Sequence, residues 1–166
     1  MKFLELLKKI NKKSTTHHIE RAGLNVKGAV KIVEKESGKV VYEDHNLVVN
    51  DAKTILTNLI ADASSTGSTN ELDKLSAGTG TSPAGLTDTA LSNPVSGLLT
   101  KTSTSTTSTS ATYVFEVGVS LWNGNLLTEF GLYNMAGTTM FSRIVTGGYY
   151  KDSSTTLVIT WTISFD

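Results

Sequence analysis

Four groupings in this 166-residue chain carry residue types that chemistry could use. Gly78, Thr79 and Gly80 invite a phosphate-cradling loop. Glu116 and Glu129 invite paired carboxylates, His17 and His18 a metal site, and Trp122, Tyr149 and Tyr150 a stacking surface for a sugar. The glycines fail the first requirement: a dinucleotide fingerprint needs a third glycine where this chain has Pro83, and no Gly-Lys-Ser/Thr follows for a P-loop. A bent loop between a strand and a helical turn is the expected reading. Adjacent histidines in an extended segment point to opposite sides, so His17 and His18 do not share an ion without ligands from elsewhere.

A glycosidase needs only two carboxyl groups at a suitable separation. If Asn123 and Gly124 form a two-residue hairpin, residue 116 faces about residue 131, and Glu129 lies diagonally nearby. Both glutamates then stand on the parity opposite the apolar residues of their strands, the usual place for solvated charges. No His-Glu-x-x-His helix or Gly-x-Ser-x-Gly elbow occurs, and the absence of cysteine removes thiolate chemistry, disulfides and cysteine-based zinc sites. The expectation is a non-enzymatic protein with no catalytic residue, cofactor or metal. Aromatic rings near strand ends commonly seal a core or a subunit interface, so Trp122, Tyr149 and Tyr150 are read as interface or glycan contacts, and Trp161 as core.

The elements that must position these residues are mostly strands. Leu157, Ile159, Trp161, Ile163 and Phe165 share one parity, with Thr156, Thr160, Thr162 and Ser164 on the other, giving a closing strand with one apolar face. Val26–Val33 and Lys39–Tyr42 alternate around Ser37 and Gly38 as a hairpin. A short strand at Leu47–Val49 precedes a helix over about 50–62, with Asn50 as a candidate cap and Ile55, Leu56, Leu59 and Ile60 as its apolar stripe. Leu72–Ala77 reads as a strand, Thr87 as the cap of one helical turn over 88–91, and Tyr113 through Leu121 as a strand with apolar alternation. Leu126, Phe130 and Leu132 begin the next strand, and another runs through Val145 to a corner at Gly147 and Gly148. Between Thr100 and Thr112 eleven of thirteen residues are Ser or Thr, read as a solvated edge strand. Roughly eight strands with one substantial helix predict a mainly β fold, an antiparallel β-sandwich or jelly-roll-like body over residues 21–166.

Charge is unevenly spread. Lys2, Lys8, Lys9, Lys12 and Lys13 face Glu5 alone, a net of +4, so the remainder carries −4 in a chain of zero formal charge. Phe3, Leu6, Leu7 and Ile10 fall at helical spacing among those lysines, which predicts a short amphipathic N-terminal helix. Such a helix is below the ~12–15 residues that are marginal alone in water, so it needs a surface: the protein's own body, a neighbouring subunit or larger assembly, or an anionic membrane. Residues 1–20 are therefore read as an attachment arm, with Phe3, Leu6, Leu7, Ile10, Lys8, Lys9, Lys12 and Lys13 as its contact residues. No apolar run approaches the ~20 residues of a membrane helix, and no basic stripe interleaved with aromatics points to nucleic acid.

The order of blocks adds a resemblance. Leu75-Ser-Ala-Gly-Thr-Gly-Thr-Ser-Pro-Ala84, Thr87-Asp-Thr-Ala-Leu91, Glu129-Phe-Gly-Leu-Tyr-Asn134, Met140-Phe-Ser-Arg143, Lys151 and Leu157–Ile163, after an Asn46-Leu-Val-Val-Asn50 lead into a helix, resemble small structural proteins of tailed bacteriophage virions. The likeness spans about residues 40–165 and implies a virion component of tail, fibre or head-decoration type, assembled in the host cytoplasm. It implies as partners further copies of the chain and other virion proteins such as a capsid or tail protein. A carbohydrate-binding or host-adhesion module that holds a host glycan is the alternative.

Overall fold

The computed structural model describes residues 25–61 and 69–166. The expected N-terminal helix, the arm residues Phe3, Leu6, Leu7, Ile10, Lys8, Lys9, Lys12 and Lys13, and the His17–His18 pair lie outside the described residues. The fold is mainly β and antiparallel. Its strands are β1 (Val26–Glu34), β2 (Val40–Val48), β3 (Leu72–Gly78), β4 (Leu99–Thr100), β5 (Ser103–Thr106), β6 (Ser110–Val117), β7 (Asn125–Asn134), β8 (Met140–Lys151) and β9 (Leu157–Phe165). One helix, α1 (Ala52–Ala61), occurs among the described residues.

The strands form one curled sheet in the order β4-β3-β7-β8-β2-β1-β9-β6-β5. β2 makes the curl possible. Residues 40–46 of β2 pair with β1, whereas Leu47 and Val48 pair with Arg143 and Ser142 of β8. One strand thus belongs to both halves, and beyond those two residues β2 and β8 diverge into an open fork. The concave side closes around one core: Val30 and Ile32 of β1, Phe115 and Val117 of β6 and the inward row of β9 meet Leu75, Leu132 and Ile144 from the other half. β9 sits between β1 and β6, so the near-perfect alternation of its sequence becomes a row of buried residues from Leu157 to Ile163.

Several local expectations change. The helix is slightly shorter than 50–62, and its buried face is Ala52 and Ile55 with Leu56 partly buried, while Leu59 is exposed. The asparagine-glycine pair at 123–124 does not join paired strands: β6 pairs with β5 and β9, β7 with β3 and β8, and residues 118–124 cross between the halves. Residues 88–91 form no helical turn. β8 continues through Gly147 and Gly148 instead of ending at a corner, but it bulges there: Leu127 faces Tyr149 and Glu129 faces Val145, so residues 146–148, with Gly148 at φ +92, stand against Thr128 alone. That bulge reverses the parity of β7, so Leu127 rather than Leu126 enters the core, and Leu126 is exposed. The Ser/Thr-rich tract becomes the edge hairpin β5–β6, its turn held where the Thr107 hydroxyl accepts the Thr109 and Ser110 amides.

Candidate functional site

Glu129 alternates with the core residues Phe130 and Leu132 and so stands on the convex side of the sheet, where the long connection 79–98 covers it. Glu129 is 0% exposed and Arg143, its neighbour on β8, is 2% exposed. Arg143 donates from Nε and Nη2 to Glu129 Oε2 at 3.0 and 2.7 Å, two charge-assisted bonds that converge on one carboxylate oxygen. The same oxygen accepts the Ser92 amide at 3.0 Å and the Ser92 hydroxyl at 3.2 Å; Oε1 accepts the Asn93 and Gly80 amides at 2.7 and 3.1 Å. The rest of the guanidinium reaches Asp88 at 2.5 Å and the Ser82 carbonyl at 3.0 Å.

This network explains the glycines. A Cβ on Gly80 would lie 1.9 Å from Ser92 Oγ and 2.4 Å from Glu129 Oε1, and one on Gly78 would lie 2.5 Å from the same carboxylate oxygen. Gly78 and Gly80 are bare so that the backbone can close on a buried carboxylate of the chain itself, which is why they resemble a phosphate loop without completing one. The connection is also pinned by Thr128, whose hydroxyl donates to the Gly80 carbonyl at 2.8 Å, and by a small apolar cluster of Val49, Leu91, Tyr133 and Met140.

Burial pushes the Glu129 carboxyl up, but the Asn93 and Ser92 amides and the Arg143 guanidinium outweigh it and hold the group below its ordinary value. The Gly85 amide does the same for Asp88, against burial and with help from Arg143. Burial lowers Arg143, but Asp88 and Glu129 together raise it above its ordinary value. Both oxygens of Glu129 are surrounded by donors, so the pair has neither a proton to give nor a free lone pair facing a substrate. The expected solvated glutamate is therefore a buried anion. Glu116 stays exposed in the other half of the sheet, 2.7 Å from Lys35, and the two carboxylates do not form a pair.

The open fork is a different environment. Two clefts of about 410 and 570 Å³ flank the C-terminal part of β2 and share His45 and Leu47. Tyr42, Asp44, Pro83 and Arg143 complete the first; Val26, Gly28, Asn46 and Leu86 stand in the second. Asn46 is 9% exposed, and neither its Oδ1 nor its Nδ2 has a hydrogen-bond partner among the described residues. Its amide lies against bare Gly28, where a Cβ would come within 2.1 Å of it. In the sequence Asn46 stands only as the first residue of the Asn46–Asn50 lead into the helix; its pairing with a glycine on an inward-facing row is what reveals its burial.

The three aromatics are not brought together as one surface. Trp122, 5% exposed, belongs to the main core, with φ +60 and its indole nitrogen donating to the Gly97 carbonyl at 3.3 Å. This corrects its place among candidate glycan contacts, because a ring sunk in the core presents no face to a sugar. Tyr149 is partly buried and donates to Glu34 at 3.1 Å, and Tyr150, 62% exposed, alone stands clear. Among the described residues no three of His, Cys, Asp and Glu converge to hold a metal ion, and no helix is long and apolar enough to cross a membrane. No family model, curated protein or solved structure matches the chain.

Proposed function

We propose that this chain is a non-enzymatic accessory structural protein of a tailed-phage virion, anchored to neighbouring virion proteins through residues 1–20. Head decoration or a head fibre is favoured over a tail, neck or baseplate place, since the sequence has no shaft-like repeat. The observation that carries the reading is where the resembling blocks meet. Gly78 and Gly80 from the first block, Asp88 from the second, Glu129 from the third and Arg143 from the fourth belong to one buried network. The features that carry the resemblance are thus determinants of a rigid scaffold, and their polar groups are spent on holding it. A structural module presented in many copies needs that rigidity, because repeated modest contacts become strong when partners are held close.

Deleting residues 1–20 tests the anchoring. The body is expected to keep its unfolding midpoint while the protein disappears from purified particles; normal occupancy of the truncated protein overturns the reading, as does turnover of any substrate by the intact chain. The glycan reading retains Tyr150 with partly buried Tyr149. Binding of the intact chain to a glycan array that vanishes in Tyr150→Ala would favour it instead.

A further inference from the structure

We infer that the cleft around Asn46 is the seat for the N-terminal arm of a second copy of this chain, an inference that rests on reading residues 1–20 as an attachment arm. A carboxamide with both ends unpaired in the interior is costly to leave so, and its complement is a group that both donates and accepts, as a peptide unit or another carboxamide does. The arm offers both, as backbone and as Asn11.

The walls fit the rest of the arm. Val26, Leu47, Val48 and Leu86 line the larger cleft, and Leu86 is 57% exposed at its rim, an apolar surface suited to Phe3, Leu6, Leu7 and Ile10. Asp44 stands exposed in the adjoining cleft, Lys27 on the wall of the larger one is already paired with Asp166, and residues 14–166 carry −4 against the +4 of residues 1–13. Charges of opposite sign that meet at a contact steer association and fix orientation.

The position of the chain favours a second copy. Twenty-four residues precede Asn25, which is bridged to Asp166 by two backbone hydrogen bonds of 3.2 and 3.0 Å, prolonging the β1–β9 ladder past the cleft. At Asn25 the backbone still runs along β9, away from Gly28 and Asn46, so an arm seated in its own cleft has to double back. An arm seated in the next copy links subunits; an arm seated at home links nothing.

The test uses the full chain. Light scattering across a concentration series is expected to show reversible association that Asn46→Leu and, separately, Leu86→Asp weaken at least tenfold, with the circular dichroism retained in each and the unfolding midpoint not lowered in either. A synthetic peptide of residues 1–24 is expected to compete the association away. A monomer at every concentration overturns the inference, as does association indifferent to both substitutions, the result expected if water alone satisfies Asn46. A cross-link between the arm and the cleft of the same molecule overturns it too. The two proposals fail separately: a monomer that loses particle incorporation on truncation keeps the anchoring and loses this seat, whereas cleft-dependent association with normal incorporation of the truncated protein does the reverse.

Discussion

Arg143 stands at the border of two regions that treat polar groups in opposite ways. On the convex face of β7 and β8 the connection 79–98 surrounds Glu129 with amides, a hydroxyl and a guanidinium. At the fork between β2 and β8, a few residues away, the Asn46 amide is equally buried and has no partner among the described residues. Burial without partners is costly and burial with them is tolerable. The first region has therefore finished its bonding within the body, and the second has not. The contrast separates side chains whose polar groups hold the scaffold from a carboxamide that the described body leaves unpaired at both ends, as it leaves the single Ser142 hydroxyl and Trp161 indole nitrogen.

The largest effect is expected from breaking the finished region. Glu129→Ala leaves the Arg143 cation buried beside only Asp88, and should cost about 3–5 kcal/mol in urea unfolding. Arg143→Met should cost a similar amount, and the double variant less than the sum, by about 1–3 kcal/mol, because the two share one interaction. A loss below about 1 kcal/mol for Glu129→Ala would mean that the roof is held by its apolar cluster instead. Acid should act on the same bonds. The folded values of Glu129, Asp88 and Asp73 lie below their ordinary ones, with Asp73 held down by Lys74 and Lys101 against burial. Their contribution is complete above the unfolded carboxylate range of about 4 and is lost as pH falls through the lowered folded values. The urea midpoint should therefore fall between pH 5 and pH 3, and fall less in Glu129→Gln.

Gly80→Ala tests the same region through the backbone. Its Cβ would meet Ser92 Oγ at 1.9 Å and the Glu129 carboxylate, so the roof must lift, at about 1–3 kcal/mol. An unchanged midpoint would show that residues 79–98 are looser than the network requires. The unfinished region should respond with the opposite sign. Asn46→Leu removes an unpaired amide and adds apolar bulk of similar size, and should stabilise the isolated body by about 1 kcal/mol. If it destabilises, Asn46 has a partner within the body and the contrast between the regions disappears.

How much of this was legible depended on whether a signal was local. The alternation of β9, the β1–β2 hairpin and the Ile55–Leu56 part of the helix stripe are periodicities of single elements, whereas Leu59 of that stripe is exposed and Ala52, outside it, is buried. The bulge opposite Thr128 was not legible, because register depends on two strands at once: β7 takes two steps from Leu127 to Glu129 while β8 takes four from Tyr149 to Val145, through Gly148 at φ +92. From that bulge followed the misplacing of Leu126, whereas Glu129 stands on the face its parity gives and is buried because the distant connection 79–98 covers it. The asparagine-glycine pair misled for a related reason: such a pair supplies positive φ wherever the chain must turn, and in this fold it turns between sheet halves. The Gly78 and Gly80 signal was real, but its ligand is the chain's own carboxylate.

Lys151 gives the smallest and most discriminating prediction, since it lies between the two kinds of region. It is fully buried and donates to Asn123 Oδ1 at 3.0 Å and the Asp152 carbonyl at 2.6 Å, so it has acceptors, yet neither is a carboxylate. Burial pushes its pKa down, with Asp152 and Glu36 opposing. A lysine whose folded value lies below its unfolded one favours the fold in its neutral form. Its contribution is therefore present above the unfolded value of about 10.4 and is lost as pH falls through the folded value. Near neutral pH the lysine should be close to break-even, its two hydrogen bonds offsetting the buried charge. Lys151→Met should then change stability by less than about 1 kcal/mol at pH 7, because removing a buried cation together with its need for partners is commonly neutral or favourable. As pH rises toward 10 the wild type should gain on the variant, and the gap between their urea midpoints measures that gain. A variant that loses several kcal/mol at pH 7 would instead place Lys151 with Glu129, among the groups on which the scaffold depends.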